Sequence, residues 1–119
     1  MSDRRVLVVD DDPDLRRLVE VTLTSYQVSL ASSLSEACRL LELEPIDVVI
    51  LDLYLGGAQD GLGVCSRAQE LASPPKVIMV SGSDSAEDQE RCLKLGAIAY
   101  LTKPFRPLQL LELLKSCLE

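Results

Sequence analysis

Five short apolar runs recur along the chain, each leading into an amphipathic segment, and no other feature restricts the fold as much. The runs are RRVLVV (4–9), YQVSLA (26–31), IDVVIL (46–51), KVIMVS (76–81) and IAYLT (98–102). Behind the first, Leu15, Leu18, Val19 and Thr22 fall at helical spacing. Pro13 suits a first helical turn and Asp12 the cap before it. Ser33 and Glu36 have capping-box spacing ahead of a helix whose face is Leu34, Ala37 and Leu41, and Pro45 stops it. A third helix is expected over about residues 62–72 and a more polar one from Ser85 to Leu95, with Gly96 as its C-cap. Leu108, Leu111, Leu114 and Leu118 define the last. Mostly apolar strands alternating with helices call for a parallel sheet covered on both faces, and right-handed crossovers make it a doubly wound α/β sandwich. The expectation is a five-stranded parallel sheet with five helices, in a single domain spanning 1–119.

The charged residues fall at one end of these runs. Asp10 and Asp11 follow the first run, Asp52 ends the third, Ser81 ends the fourth and Lys103 follows the fifth. In an open parallel sheet, ligands bind outside the carboxyl ends of the strands, where the strand order reverses. With the order 2-1-3-4-5, strands 1 and 3 are neighbours at that point, and three carboxylates converge on one crevice. Each residue taken singly has a plainer reading: a helix cap for Asp10 and Asp11, a turn hydroxyl for Ser81 before Gly82, a solvated surface lysine for Lys103. Their agreement on one sheet edge favours a site. Carboxylates crowded together raise one another's pKa unless a cation is present, and an all-oxygen donor set favours Mg²⁺. A metal, a lysine, a hydroxyl and a free carboxylate oxygen suit phosphoryl transfer, with the carboxylate attacking in line.

Composition removes competing classes. The chain has no histidine, which excludes Ser-His-Asp and Cys-His catalysis and the commonest zinc ligand. Cys38, Cys65, Cys92 and Cys117 form no Cys-x-x-Cys pair and read as reduced apolar residues, one on each of four helices. A net charge of −7 argues against direct nucleic-acid binding. No apolar run approaches the ~20 residues of a membrane span. No signal-peptide layout follows Arg4 and Arg5, so a cytoplasmic location is expected.

Over essentially its whole length the chain resembles a response-regulator receiver domain of two-component signalling, on the strength of VLVVDDDPDLRRL, Asp52 after DVVIL, VIMVSG and LGAIAYLTKPF. The resemblance implies a flavodoxin-like fold and a phosphorelay switch, not a turnover enzyme. It implies that Asp52 is the phosphoacceptor, charged by a histidine kinase or a histidine phosphotransfer protein. Asp11 would bind Mg²⁺ directly, Asp10 largely through water, and the Tyr54 backbone carbonyl would supply another ligand. Ser81 would hydrogen-bond the phosphoryl oxygen, Lys103 would pair with the phosphate, and Tyr100 would be the switch aromatic that turns inward. The Lys103–Pro104 bond would be cis. The fourth helix, fifth strand and fifth helix would form the surface that partners or a second subunit read. A second leucine stripe on the last helix (Leu110, Leu113, Cys117) fits either a wide core band or a phosphorylation-dependent homodimer interface. The chain ends just after this helix, which fits a stand-alone receiver or a piece of a larger regulator.

One segment departs from the family. Receivers usually carry a Met-Pro pair three positions after the phosphoacceptor, and an Asp-Gly pair seven positions after it. Here Leu55 and Gly56 replace the first, and Asp60 falls eight positions after Asp52. Two adjacent glycines permit positive φ, so residues 56–59 are expected to be more mobile or differently routed, with the Tyr54 carbonyl keeping its metal role. Two other functions compete. One is a small Mg²⁺-dependent phosphohydrolase of haloacid-dehalogenase type, using Asp10 and Asp12 as its Asp-x-Asp motif. The other is an interaction module that works without phosphorylation.

Overall fold

The computed structural model describes residues 3–118. Met1, Ser2 and Glu119, the outermost residues of the expected 1–119 domain, lie outside the described residues. Five strands, β1 (Arg5–Val9), β2 (Gln27–Ala31), β3 (Val48–Asp52), β4 (Lys76–Ser81) and β5 (Ala99–Thr102), alternate with five helices. The helices are α1 (Pro13–Thr22), α2 (Leu34–Leu43), α3 (Gly61–Gln69), α4 (Ala86–Lys94) and α5 (Pro107–Leu118). The strands form one parallel sheet in the order β2-β1-β3-β4-β5. Both the alternating elements and the strand order match the sequence expectation.

The period-2 geometry of a strand explains why both faces are apolar. Val6 and Val8 of β1, Val48 and Ile50 of β3, and Ile78 and Val80 of β4 point to one face. There they meet Val19 and Leu23 from the α1 side, and Leu110 and Leu114 of α5. The alternate residues Leu7, Val9, Val49, Leu51, Val77 and Met79 pack on the other face against Ala37, Leu41, Val64, Cys65, Ala68 and Cys92. Helices α1 and α5 thus cover one side, and α2, α3 and α4 the other. Among the described residues, no helix is long and apolar enough to cross a membrane.

The local signals are mostly realised. Asp12 caps α1 by accepting from Asp14 N at 3.0 Å, and Ser33 caps α2 by accepting from Glu36 N. The reciprocal arm of the second box is shifted by one residue, since Glu36 Oε1 accepts from Ser32 N at 2.9 Å. Gly96 ends α4 with φ of 107°. Helix α3 stops at Gln69, short of residue 72, because Glu70 N and Leu71 N bond carbonyls three residues back and tighten the last turn. The four cysteines are free and lie on α2, α3, α4 and α5. On α5 the buried residues are Leu110 and Leu114, one from each expected stripe, while Leu108 is 62 % exposed. An i, i+4 pair shares one helix face, so the core side of α5 runs through Leu110 and Leu114.

Candidate functional site

The carboxyl ends of β1 and β3 lie side by side, Val9 opposite Leu51, so the residues that follow are delivered to one crevice. Asp10, Asp11 and Asp52 offer carboxylate oxygens that all lie within 4.8 Å of one another. Asp10 and Asp52 are buried, 3 % and 7 % exposed, whereas Asp11 faces solvent. Lys103, just beyond β5, places Nζ 2.9 Å from Asp10 Oδ2 and 2.9 Å from Asp52 Oδ2. Its amide also donates to the Ser81 carbonyl, which ties the lysine to the end of β4. The Lys103–Pro104 bond is cis, as the resemblance implies.

One further oxygen of each carboxylate is held by a backbone amide. Asp12 N donates to Asp10 Oδ1, Tyr54 N to Asp52 Oδ1 and Gly56 N to Asp11 Oδ2. Burial raises the Asp52 carboxyl above its ordinary value, ahead of the Lys103 hydrogen bond and charge that pull it down; Asp10 adds to the rise. Burial works to lower the Lys103 ammonium, but hydrogen bonds to Asp10 and Asp52 outweigh it and hold the group above its ordinary value. The lysine therefore stays charged between the two carboxylates. Three carboxylates against one ammonium leave an unbalanced negative charge, and an all-oxygen donor set of this span fits a hard divalent cation.

The remaining expected residues bond to the neighbouring loops. Ser81 is fully buried, and its Oγ accepts from Ser83 N at 3.2 Å. The Tyr100 hydroxyl donates to the Ser83 carbonyl at 2.9 Å, and burial raises its pKa. The Tyr54 side chain leaves the cluster and donates to Asp88 Oδ2 at 3.1 Å. Asp12 is exposed, its Oδ1 caps α1, and the carboxylates that converge with Asp10 are those of Asp11 and Asp52. At the expected 56–59 segment, residues 55–58 make a tight turn that Gln59 follows. Gly56 and Gly57 adopt φ of 63° and 85°, and Leu55 and Ala58 exchange backbone hydrogen bonds across it. Beside Lys103, a cleft of about 380 Å³ is lined by Asp12, Leu15, Leu18, Pro104 and Phe105.

Three contributors were not picked out from the sequence. Arg16 Nη1 donates to the Asp10 carbonyl at 2.7 Å. Gly61 packs on the end of β3, where an added Cβ would come within 2.2 Å of the Asp52 carbonyl oxygen; the Asp60-Gly61 pair was its only signal. Asp88, 8 % exposed, gathers bonds from Tyr54, Gln59, Ser83 and Arg91. The Ser83 hydroxyl in particular holds its carboxyl below the usual carboxylate range.

A doubly wound α/β domain with an acidic crevice and a bridging lysine at its switch point is the class that this fold and site define. The chain belongs to the response regulator receiver domain family, whose family model matches residues 6–115. It is 38 % identical to the regulatory protein VanR of Enterococcus faecium, over 98 % of this chain and 50 % of that protein. The chain spans between 26 % and 50 % of the length of the first curated relatives it matches. Among solved structures it is similar to a CheY-like receiver domain protein from Methanospirillum hungatei JF-1. That match has a TM-score of 0.91 and 33 % identity, and covers 98 % of this chain and 94 % of the other. It is also similar to the BeF3-activated DrrB receiver domain, with a TM-score of 0.88 and 28 % identity over 98 % of each chain.

Proposed function

We propose that this chain is a phosphoacceptor switch in which Asp52 accepts a phosphoryl group from a phosphohistidine donor with Mg²⁺ assistance. The observation that carries the reading is the Lys103 ammonium bridging Asp10 and Asp52 at 2.9 Å each, beside the Asp11 carboxylate. Asp10, Asp11, Asp52 and the Tyr54 backbone carbonyl would hold the cation. When bound, Mg²⁺ neutralises charge on the phosphoryl oxygens during transfer. An Asp52 carboxylate oxygen attacks phosphorus while the donor's N–P bond breaks, and the electron pair of that bond stays on the imidazole nitrogen. Lys103 exchanges its carboxylate partner for a phosphoryl oxygen. The Ser81 hydroxyl turns from Ser83 to donate to another phosphoryl oxygen, and Tyr100 follows it inward. The surface formed by α4, β5 and α5 then presents the change to a partner or a second copy. The donor is a histidine kinase or a histidine phosphotransfer protein, and the domain acts as a signalling switch, not a turnover enzyme.

Similarity to a receiver domain captured in a BeF3-activated state supports the use of beryllofluoride as a tetrahedral mimic of the phosphoryl group. Fluorine NMR should find one bound beryllofluoride, dependent on Mg²⁺ and absent in Asp52→Asn. Undiminished binding to that variant would remove Asp52 from the acceptor role.

A further inference from the structure

Asp88 lies on α4, outside the acidic crevice, yet it ties α4 to the two loops that follow β3 and β4. Its Oδ2 accepts from the Tyr54 hydroxyl at 3.1 Å and from the Ser83 hydroxyl at 2.7 Å. Its Oδ1 accepts from Gln59 Nε2 at 3.3 Å and Arg91 Nη1 at 3.4 Å. Gln59 closes the group by donating to the Tyr54 hydroxyl at 2.9 Å and accepting from Arg91 Nη1 at 2.7 Å. Both ends of this network return to the site. Tyr54 N donates to Asp52 Oδ1, and Ser83 N donates to Ser81 Oγ. The hydrogen bonds therefore run from the end of β3, through Asp88, to the end of the neighbouring β4.

The loop that Asp88 grips is anchored in the core at Leu55, but its glycine tip makes no packing contact of its own. A Cβ at Gly56 or Gly57 would meet nothing within 4 Å, and two glycines lose more backbone freedom on ordering than any other pair. Tyr54 and Gln59 stand on either side of this turn, and both end on the Asp88 carboxylate. A carboxylate is a stronger acceptor than a neutral group, so one side chain fixes both flanks of the turn.

We propose that Asp88 is a positioning residue that holds the Tyr54 loop from α4 in the shape a cation at Asp10, Asp11 and Asp52 requires. This rests on the proposed metal role of the Tyr54 carbonyl. It makes cation binding and the order of α4 energetically linked, and linkage is reciprocal. Mg²⁺ should slow amide exchange in α4 as well as in residues 53–60.

The test uses the whole chain with Asp88→Asn, Tyr54→Phe and the double variant. Amide exchange is followed with and without Mg²⁺, and Mg²⁺ affinity is measured by calorimetry. In the metal-free protein, Asp88→Asn should speed exchange at residues 53–60 by about tenfold. It should also weaken Mg²⁺ binding several-fold. Tyr54→Phe should act in the same direction, and the double variant should lose little more than Asp88→Asn alone, because both break one link. Unchanged loop exchange in Asp88→Asn overturns the inference, as does a loosened loop with unaltered Mg²⁺ affinity. Additive losses in the double variant also overturn it, since they assign Asp88 to the stability of α4 alone. A wild-type protein that binds no Mg²⁺ contradicts the site reading, and the metal-free exchange comparison then decides separately whether Asp88 holds the loop. If Asp88→Asn does not fold, Tyr54→Phe alone decides the point: normal loop exchange and normal Mg²⁺ affinity in that variant overturn the inference.

Discussion

Lys103 Nζ lies 2.9 Å from Asp52 Oδ2 although 51 residues separate the two, and the same nitrogen reaches Asp10 at the same distance. One ammonium thus joins the carboxyl ends of three strands' worth of chain. Removing it leaves two buried carboxylates facing each other without a counter-charge. Lys103→Met should destabilise the metal-free protein by about 1–3 kcal/mol, the cost of orphaning a charged hydrogen-bonding group. Because a divalent cation can replace the missing charge, Mg²⁺ should recover part of the loss. Urea unfolding in chelator and in Mg²⁺ measures both; equal deficits in the two buffers would contradict the shared-charge account.

The raised pKa of Asp52 has a definite sign in stability. The folded protein keeps this proton over a pH range where the unfolded chain has released it. The group's contribution is therefore fully present below the ordinary carboxylate range and is lost as pH rises through the raised value. In chelator, the Tm of wild type relative to Asp52→Asn should fall as pH rises through that window. Mg²⁺ favours the carboxylate form, so its Tm increment should grow over the same window. A wild-type-minus-variant difference that is flat across it would refute the assignment.

Two glycines near the site should behave oppositely. At Gly61, a Cβ would lie 2.2 Å from the Asp52 carbonyl oxygen and 2.8 Å from Leu53 Cα, so backbone must move. Gly61→Ala should cost about 1–3 kcal/mol by overpacking and displace the Asp52 strand end, lowering phosphorylation with it. At Gly82 a Cβ meets nothing within 4 Å. Gly82→Ala should change stability by no more than about 0.5 kcal/mol. Chemical denaturation of the pair is the check, and similar costs at both positions would show that close approach to Asp52 is not the cause.

Leu93 on α4, Ile98 before β5 and Leu108 on α5 are 50 %, 49 % and 62 % exposed. If this face is what phosphorylation exposes or reshapes, beryllofluoride with Mg²⁺ should promote self-association. Leu108→Glu should reduce that association without altering beryllofluoride binding at Asp52. Light scattering reads the outcome, and identical monomer masses with and without the mimic would exclude this face as a homodimer surface.

The fold was legible because its determinants are local. The near-continuous apolar runs of β1, β3 and β4 and the caps at Asp12, Ser33 and Gly96 act over a few residues. The acidic cluster was legible for a topological reason: Asp10 and Asp11 follow β1 and Asp52 ends β3, neighbouring strands in a doubly wound sheet, and Lys103 follows β5 on the same sheet edge. What stayed hidden depends on contacts that no spacing encodes. Asp88 reads as one acidic residue in the first turn of a polar helix, and its bonds to Tyr54 and Gln59 cross 34 and 29 residues. The 2.2 Å approach at Gly61 depends on how the α3 entry crosses the end of β3. The leucine-rich α5 offered two plausible faces, and the choice of Leu110 with Leu114 depends on how the helix lies on the sheet.

The most direct measurement is the identity of the residue that takes a phosphoryl group from a small-molecule phosphodonor such as phosphoramidate in the presence of Mg²⁺. Intact mass and peptide mapping should show one phosphoryl group on Asp52, no labelling of Asp52→Asn, and dependence on Mg²⁺ that chelator abolishes. Labelling that persists in Asp52→Asn and disappears in Asp10→Asn would place the nucleophile on β1's side of the crevice and contradict the account.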